Sequence, residues 1–143
     1  MKIFRLLLLT LLLAAPVLST AAADWVLIAH PKANIGRLSR DEVTNIYLGR
    51  YRRLASGVTA EPIDQPVDSV LRVSFYRQLV DKNQAEINAY WARLVFSGKT
   101  RPPRVAASNE EALQLVSLHP GALAYVEKAK VDSRVIIVYE FTE

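Results

Sequence analysis

Three short apolar runs, Trp25-Val26-Leu27-Ile28-Ala29, Ala122-Leu123-Ala124-Tyr125-Val126 and Val135-Ile136-Ile137-Val138-Tyr139, stand near the two ends of the folded part of the chain, and every segment with helical periodicity lies between them. Runs of this length are too short for helices, and their apolar continuity, not alternating with polar residues, is the pattern of strands covered on both faces. A strand covered twice needs a layer on each side. The intervening helices must therefore sandwich a sheet, which makes the fold class α/β: a mixed or mainly parallel sheet flanked by helices.

The helical segments carry their own boundaries. Ser39-Arg40-Asp41-Glu42 has the spacing of a capping box, with Val43, Ile46 and Tyr47 on one apolar face and Gly49 at the stop. Pro62-Ile63 reads as a short extended piece, after which Asp68 or Ser69 caps a helix bearing Leu71, Phe75 and Leu79. Asn83 and Glu86 open a third helix whose Ile87, Trp91, Leu94 and Val95 share a face as far as Gly98. Pro102-Pro103 excludes helix, Val105-Ala106 suits a strand, and Ser108 with Glu111 forms a further capping box before Ala112, Leu113, Leu115 and Val116. His119-Pro120-Gly121 ends that helix, and a charged, turn-like stretch from Glu127 to Arg134 separates the last two strands. With no repeat and no long linker, one domain over residues 24–143 is expected.

Residues 1–23 have a different character. Lys2 and Arg5 precede an apolar run from Leu6 to Leu18, and the small residues Ser19 to Ala23 follow, which is the three-part form of a cleavable secretory signal. The run is shorter than the roughly 20 residues a membrane helix needs, and Pro16 interrupts its end, so a stable membrane anchor is not expected. The chain has no cysteine, hence neither a disulfide nor a lipid-attachment thiol, and a soluble periplasmic product starting at Asp24 is the expectation. Removing Lys2 and Arg5 lowers the formal net charge from +4 to +2, too little for a nucleic-acid-binding polycation. What remains basic is local, Arg50-Tyr51-Arg52-Arg53 and Lys99-Thr100-Arg101-Pro102-Pro103-Arg104; brought together, these would form a positive patch for anionic envelope partners.

Several blocks, in order, carry a resemblance: Leu38-Ser39 with Glu42-Val43 and Ile46-Tyr47-Leu48-Gly49-Arg50, then Phe75-Tyr76, Tyr90-Trp91 with Leu94-Val95-Phe96-Ser97-Gly98, Pro102-Pro103, and Pro120-Gly121-Ala122-Leu123-Ala124-Tyr125-Val126. From Trp25 to Val138 the chain resembles the phosphate-binding-protein-like family, relatives of the periplasmic substrate-binding component of phosphate ABC transporters. The resemblance implies one lobe of a type II periplasmic binding protein, whose full-length members have two lobes and hold the anion between them. The family's anion loop resembles Arg, three residues, then Ser-Gly-Thr at a helix N-terminus, where hydroxyls, amides and the helix dipole favour a tetrahedral anion. Alignment through Phe75 puts that loop at Gln65 to Arg72. Ser69 matches; Gln65 stands in place of the arginine, Val70 in place of the glycine and Leu71 in place of the threonine. Arg72 is the substitute cation, with Ser69, Asp68 and Gln65 completing the candidate site for inorganic phosphate or another oxyanion. The plainer alternative leaves Asp68 or Ser69 as a helix cap and Arg72 on a solvated face.

No other chemistry is signalled. His30 and His119 are the only histidines, with no ligand spacing around either, so no metal or cofactor is expected, and no nucleophile elbow or nucleotide loop supports an enzyme. The aromatic stretch at Tyr90, Trp91 and Phe96 reads as core rather than as a stacking platform. Two roles follow: an oxyanion-binding solute or accessory module, or a protein-interaction module that has kept the lobe and lost its ligand, with a transporter or other envelope protein as partner. Homodimerisation could rebuild a two-lobed cleft.

Overall fold

The computed structural model describes residues 24–141, so the leader assigned to residues 1–23 lies outside the described residues. In chain order the elements are β1 (Trp25–Ala29), α1 (Arg40–Tyr47), β2 (Glu61–Asp64), α2 (Val70–Val80), α3 (Gln84–Phe96), β3 (Arg104–Val105), α4 (Asn109–Leu118), β4 (Ala122–Glu127) and β5 (Ile136–Glu140). The five strands form one sheet in the order β3-β2-β4-β1-β5. β2 runs parallel to both β3 and β4, and β1 runs antiparallel to β4 and β5, with Leu27 opposite Tyr125 on one side and Tyr139 on the other. Four strands thus point one way and β1 against them, the mixed form of the expected sheet. The final two strands are not neighbours, because β1 lies between them.

Both faces of the sheet are covered. Alternate residues of β1 point to opposite sides: Trp25, Leu27 and Ala29 join Tyr47, Phe75, Tyr76, Tyr125 and Trp91 in a core roofed by α1, α2 and α3. Val26 and Ile28 join Ile63, Leu113, Val116 and Ala124 in a smaller aliphatic core roofed by α4. The first core is aromatic at its centre, with Phe75 stacked on Tyr125 at 3.8 Å and edge-on to Trp25 and Tyr47 at 4.8 and 4.7 Å. Such pairs add roughly 0.5–1.5 kcal/mol each to the area they bury. Tyr47 also ties the sheet itself, its hydroxyl lying 3.0 Å from the Ile63 carbonyl and 3.2 Å from that of Leu123, on adjacent strands.

The caps form as the residue types require. Ser39 and Asn83 each make both bonds of a capping box. Ser108 caps α4, but the Glu111 carboxylate accepts from the Ala107 amide at 2.7 Å and not from that of Ser108, so the box there is one residue out of register. Gly49 has φ +74°, and a Cβ at that position would meet Trp91 at 3.0 Å and Thr100 at 3.1 Å, so only glycine allows the turn and the close approach together.

One packing expectation fails. Ile87 and Trp91 are buried, but Val95 is half exposed and Phe96 is 96% exposed. The edge strand β3 has two residues, both exposed. Among the described residues no helix is long and apolar enough to cross a membrane.

Candidate functional site

β2 leads through α2 and α3, on the aromatic face, to β3 at the edge; β3 leads through α4, on the other face, back past β2 to β4. Connections that leave a strand on opposite sides open a crevice at its carboxyl end. Asp64, the last residue of β2, stands there.

Asp64 is 3% exposed, and donors surround its carboxylate. Oδ2 accepts from Arg72 Nε at 3.1 Å and from the Tyr76 hydroxyl at 3.0 Å; Oδ1 accepts from the Gln65 amide at 2.9 Å and from the Tyr125 hydroxyl. Arg72, 4% exposed, also donates from Nη1 to Gln84 Oε1 and lies 5.0 Å over the Tyr76 ring. Burial, with the Asp64 charge second, pushes the Tyr76 and Tyr125 hydroxyls well above the ordinary tyrosine range. Both therefore stay protonated and donate. A buried carboxylate is tolerable only with its charge paired and its lone pairs filled, and this one has both.

The sequence-predicted residues fall around this centre in unequal ways. Ser69 caps α2, its Oγ accepting from the Arg72 amide at 3.2 Å. Gln65 is buried and structural: its side-chain amide donates to the Tyr125 carbonyl at 3.0 Å and to Asn109 Oδ1 at 3.4 Å, latching the end of β2 to β4 and α4. Asp68 is exposed, and the cap is Ser69 alone. Arg72 is not on a solvated face, because it turns inward to reach Asp64. Arg72 and Gln65 thus meet at Asp64, Ser69 joins them only through the Arg72 backbone amide, and Asp68 makes none of these bonds.

Tyr76, Tyr125 and Gln84 have no site role in the sequence reading. The one local signal is a carboxylate closing a short apolar strand eight residues before an arginine; the two tyrosines look like core residues, which they also are.

Above the pair lies an open groove of about 540 Å³. Its polar floor is Asp64, Arg72 and Asn88, and its walls are apolar, including Val67, Trp91, Phe96 and Val105. The arrangement offers one oriented guanidinium beneath an apolar rim.

Solved structures share this architecture. An ABC-type phosphate transport receptor from Vibrio cholerae superposes with a TM-score of 0.65 at 15% identity, covering 81% of this chain and 45% of the receptor. PstS from Borrelia burgdorferi gives 0.56 at 14% identity, covering 81% and 46%. A phosphate-bound structure from Clostridium perfringens, assigned to the phosphate ABC transporter substrate-binding class, gives 0.65 at 17% identity, covering 81% and 44%. The fold is that of one phosphate-receptor lobe. At these identities the likeness is one of fold, and the chain spans less than half the length of each of the three receptors. No family model matches the sequence. No curated protein matches it either. Within the phosphate-receptor fold, the Asp64–Arg72 pair and its groove sit at the carboxyl end of β2.

Proposed function

We propose that the protein is a secreted, non-catalytic binding module of the phosphate-receptor type, a single lobe that takes phosphate or a related oxyanion over Arg72 as a solute-binding or accessory component at the cell envelope. The observation that carries this reading is the state of Arg72. Its guanidinium is buried at the carboxyl end of β2 and aimed by Asp64 through Nε, yet the residue still lines the groove. A guanidinium held in one orientation loses little freedom when it binds an anion. Ser69 supports it: its oxygen accepts from the backbone, which leaves the hydroxyl proton to be donated at the N-terminus of α2, where the helix dipole favours negative charge.

The test is calorimetric titration of the protein with inorganic phosphate, with sulfate as the comparison. Saturable heat is expected, weakened at least tenfold by Arg72→Met in protein that is still folded.

A second reading is favoured by Asp64 itself. A carboxylate that already gives Arg72 its full counter-charge occupies the role of a bound anion, and the exposed Val67, Val70, Phe96 and Val105 suit a protein surface better than water. On that reading the lobe is an interaction module for an envelope protein or a second copy. No heat and no thermal stabilisation at millimolar phosphate would decide for it.

A further inference from the structure

The fold brings the two basic loops together. Arg52 follows α1 and Lys99 follows α3, 47 positions apart, and Arg52 Nη2 donates to the Lys99 carbonyl at 2.6 Å. Gly49 permits this approach, since any side chain there would collide with Trp91 and Thr100. Between the loops runs an open groove of about 860 Å³, on the far side of Val95 and Pro102 from the Arg72 groove. It presents the cations of Arg52, Lys99 and Arg101 with the hydroxyls of Tyr51, Thr59 and Thr100, and no carboxylate lines it.

No ion pair among the described residues compensates the cations of this region. Arg37, Arg77 and Arg134 each sit against an acid. Among the described residues none of Arg50, Arg52, Arg53, Lys99, Arg101 or Arg104 has a carboxylate within ion-pair distance. Arg52, Lys99 and Arg101, three cations lining one groove with no acid among them, repel one another, and an anion between them would relieve that repulsion.

We propose that this groove binds a linear anion of several linked phosphate groups. Forked guanidinium donors, an ammonium and hydroxyls converging from two walls match oxygens arranged tetrahedrally, and match them repeatedly along a chain. The volume is that of a site for a ligand much larger than one oxyanion. The concave shape admits a chain, whereas a flat layer of lipid headgroups would meet only the rim. This site is independent of the Arg72 reading and shares with that groove only the apolar wall of Val95 and Pro102.

The experiment is titration of the protein with tripolyphosphate in low and physiological salt, orthophosphate, an oligoglutamate of equal charge and anionic phospholipid vesicles being titrated in parallel. Tripolyphosphate is expected to bind saturably and at least tenfold more tightly than orthophosphate or oligoglutamate. The double variant Arg52→Ala/Arg101→Ala should weaken it at least tenfold and flatten its salt dependence, while Arg77→Ala, a paired arginine on α2, should leave it unchanged. Arg72→Met should also leave it unchanged, which separates this groove from the other. Oligoglutamate binding as tightly as tripolyphosphate, vesicle binding that tripolyphosphate does not displace, or full tripolyphosphate affinity in a folded double variant would each overturn the proposal.

Discussion

Arg72 and Arg52 lie on either side of a wall made by Val95 and Pro102, and the protein treats the two guanidiniums in opposite ways. Arg72 is drawn inside, where a carboxylate rises from the end of β2 to meet it and two tyrosine hydroxyls complete the shell. Arg52 is held by a carbonyl oxygen and faces a groove without an acid. Only the first is built into the fold. An arginine becomes structural when its counter-charge is delivered by the sheet; left on a loop with hydrogen bonds alone, it remains available to a ligand.

The comparison breaks most visibly at Asp64. Asp64→Asn leaves the buried Arg72 without its counter-charge, and removing one partner of a buried pair costs about 3–5 kcal/mol. Urea unfolding measures it. Replacing both residues, as in Asp64→Leu/Arg72→Met, should cost less than the sum of the single changes, because no orphaned charge remains. If Asp64→Asn costs less than 1 kcal/mol, the pair behaves like a surface contact and the contrast with Arg52 disappears.

Alkaline pH sharpens the same contrast. Tyr47, Tyr76 and Tyr125 have hydroxyls raised well above the usual range, foremost by burial and next by the Asp64 charge. A raised pKa in the folded state leaves stability intact below the unfolded tyrosine value near 10 and erodes it as pH climbs above that, since the unfolded chain releases protons that the folded one retains. Each tyrosine contributes a slope of about 1.4 kcal/mol per pH unit. Absorbance titration should therefore show these three of the six tyrosines ionising only together with the loss of circular dichroism. Tyr125→Phe should remove one share of that slope. Smooth ionisation of all six before unfolding would show that solvent reaches the Asp64 shell.

Local signals were legible and convergent ones were not. Ser39, Ser69 and Asn83 were readable as caps because a cap depends on residues at most three positions away. Ser69→Ala is accordingly expected to cost about 1 kcal/mol in thermal unfolding, less than the break at Asp64. The class of sheet was equally readable, from apolar runs covered on both faces. The site was half readable: Ser69 and Arg72 stood out as residue types, but the meeting of Asp64 with Tyr76 and Tyr125 depends on β2 lying beside β4, and no short window contains both strands. Val95 misled for a related reason. Helical spacing placed it on the apolar face, but spacing does not show how far the core extends along a helix, and the last turn of α3 lies beyond it.

The smallest effect is expected at Arg52, where two terms oppose. Arg52→Ala removes a charge-assisted bond to the Lys99 carbonyl and at the same time removes one of several cations that have no ion-pair partner. The bond is exposed and the repulsion is screened, so the net change in stability should stay within about 0.5 kcal/mol. Salt separates the terms: added sodium chloride should stabilise the unsubstituted protein by screening the basic groove, and should stabilise Arg52→Ala less, because less repulsion is left to screen. Thermal unfolding at 10 mM and 500 mM salt measures both. Should Arg52→Ala prove as damaging as Asp64→Asn, Arg52 would be a second structural arginine, and the groove it lines would be a seam in the fold with nothing left to offer an anion.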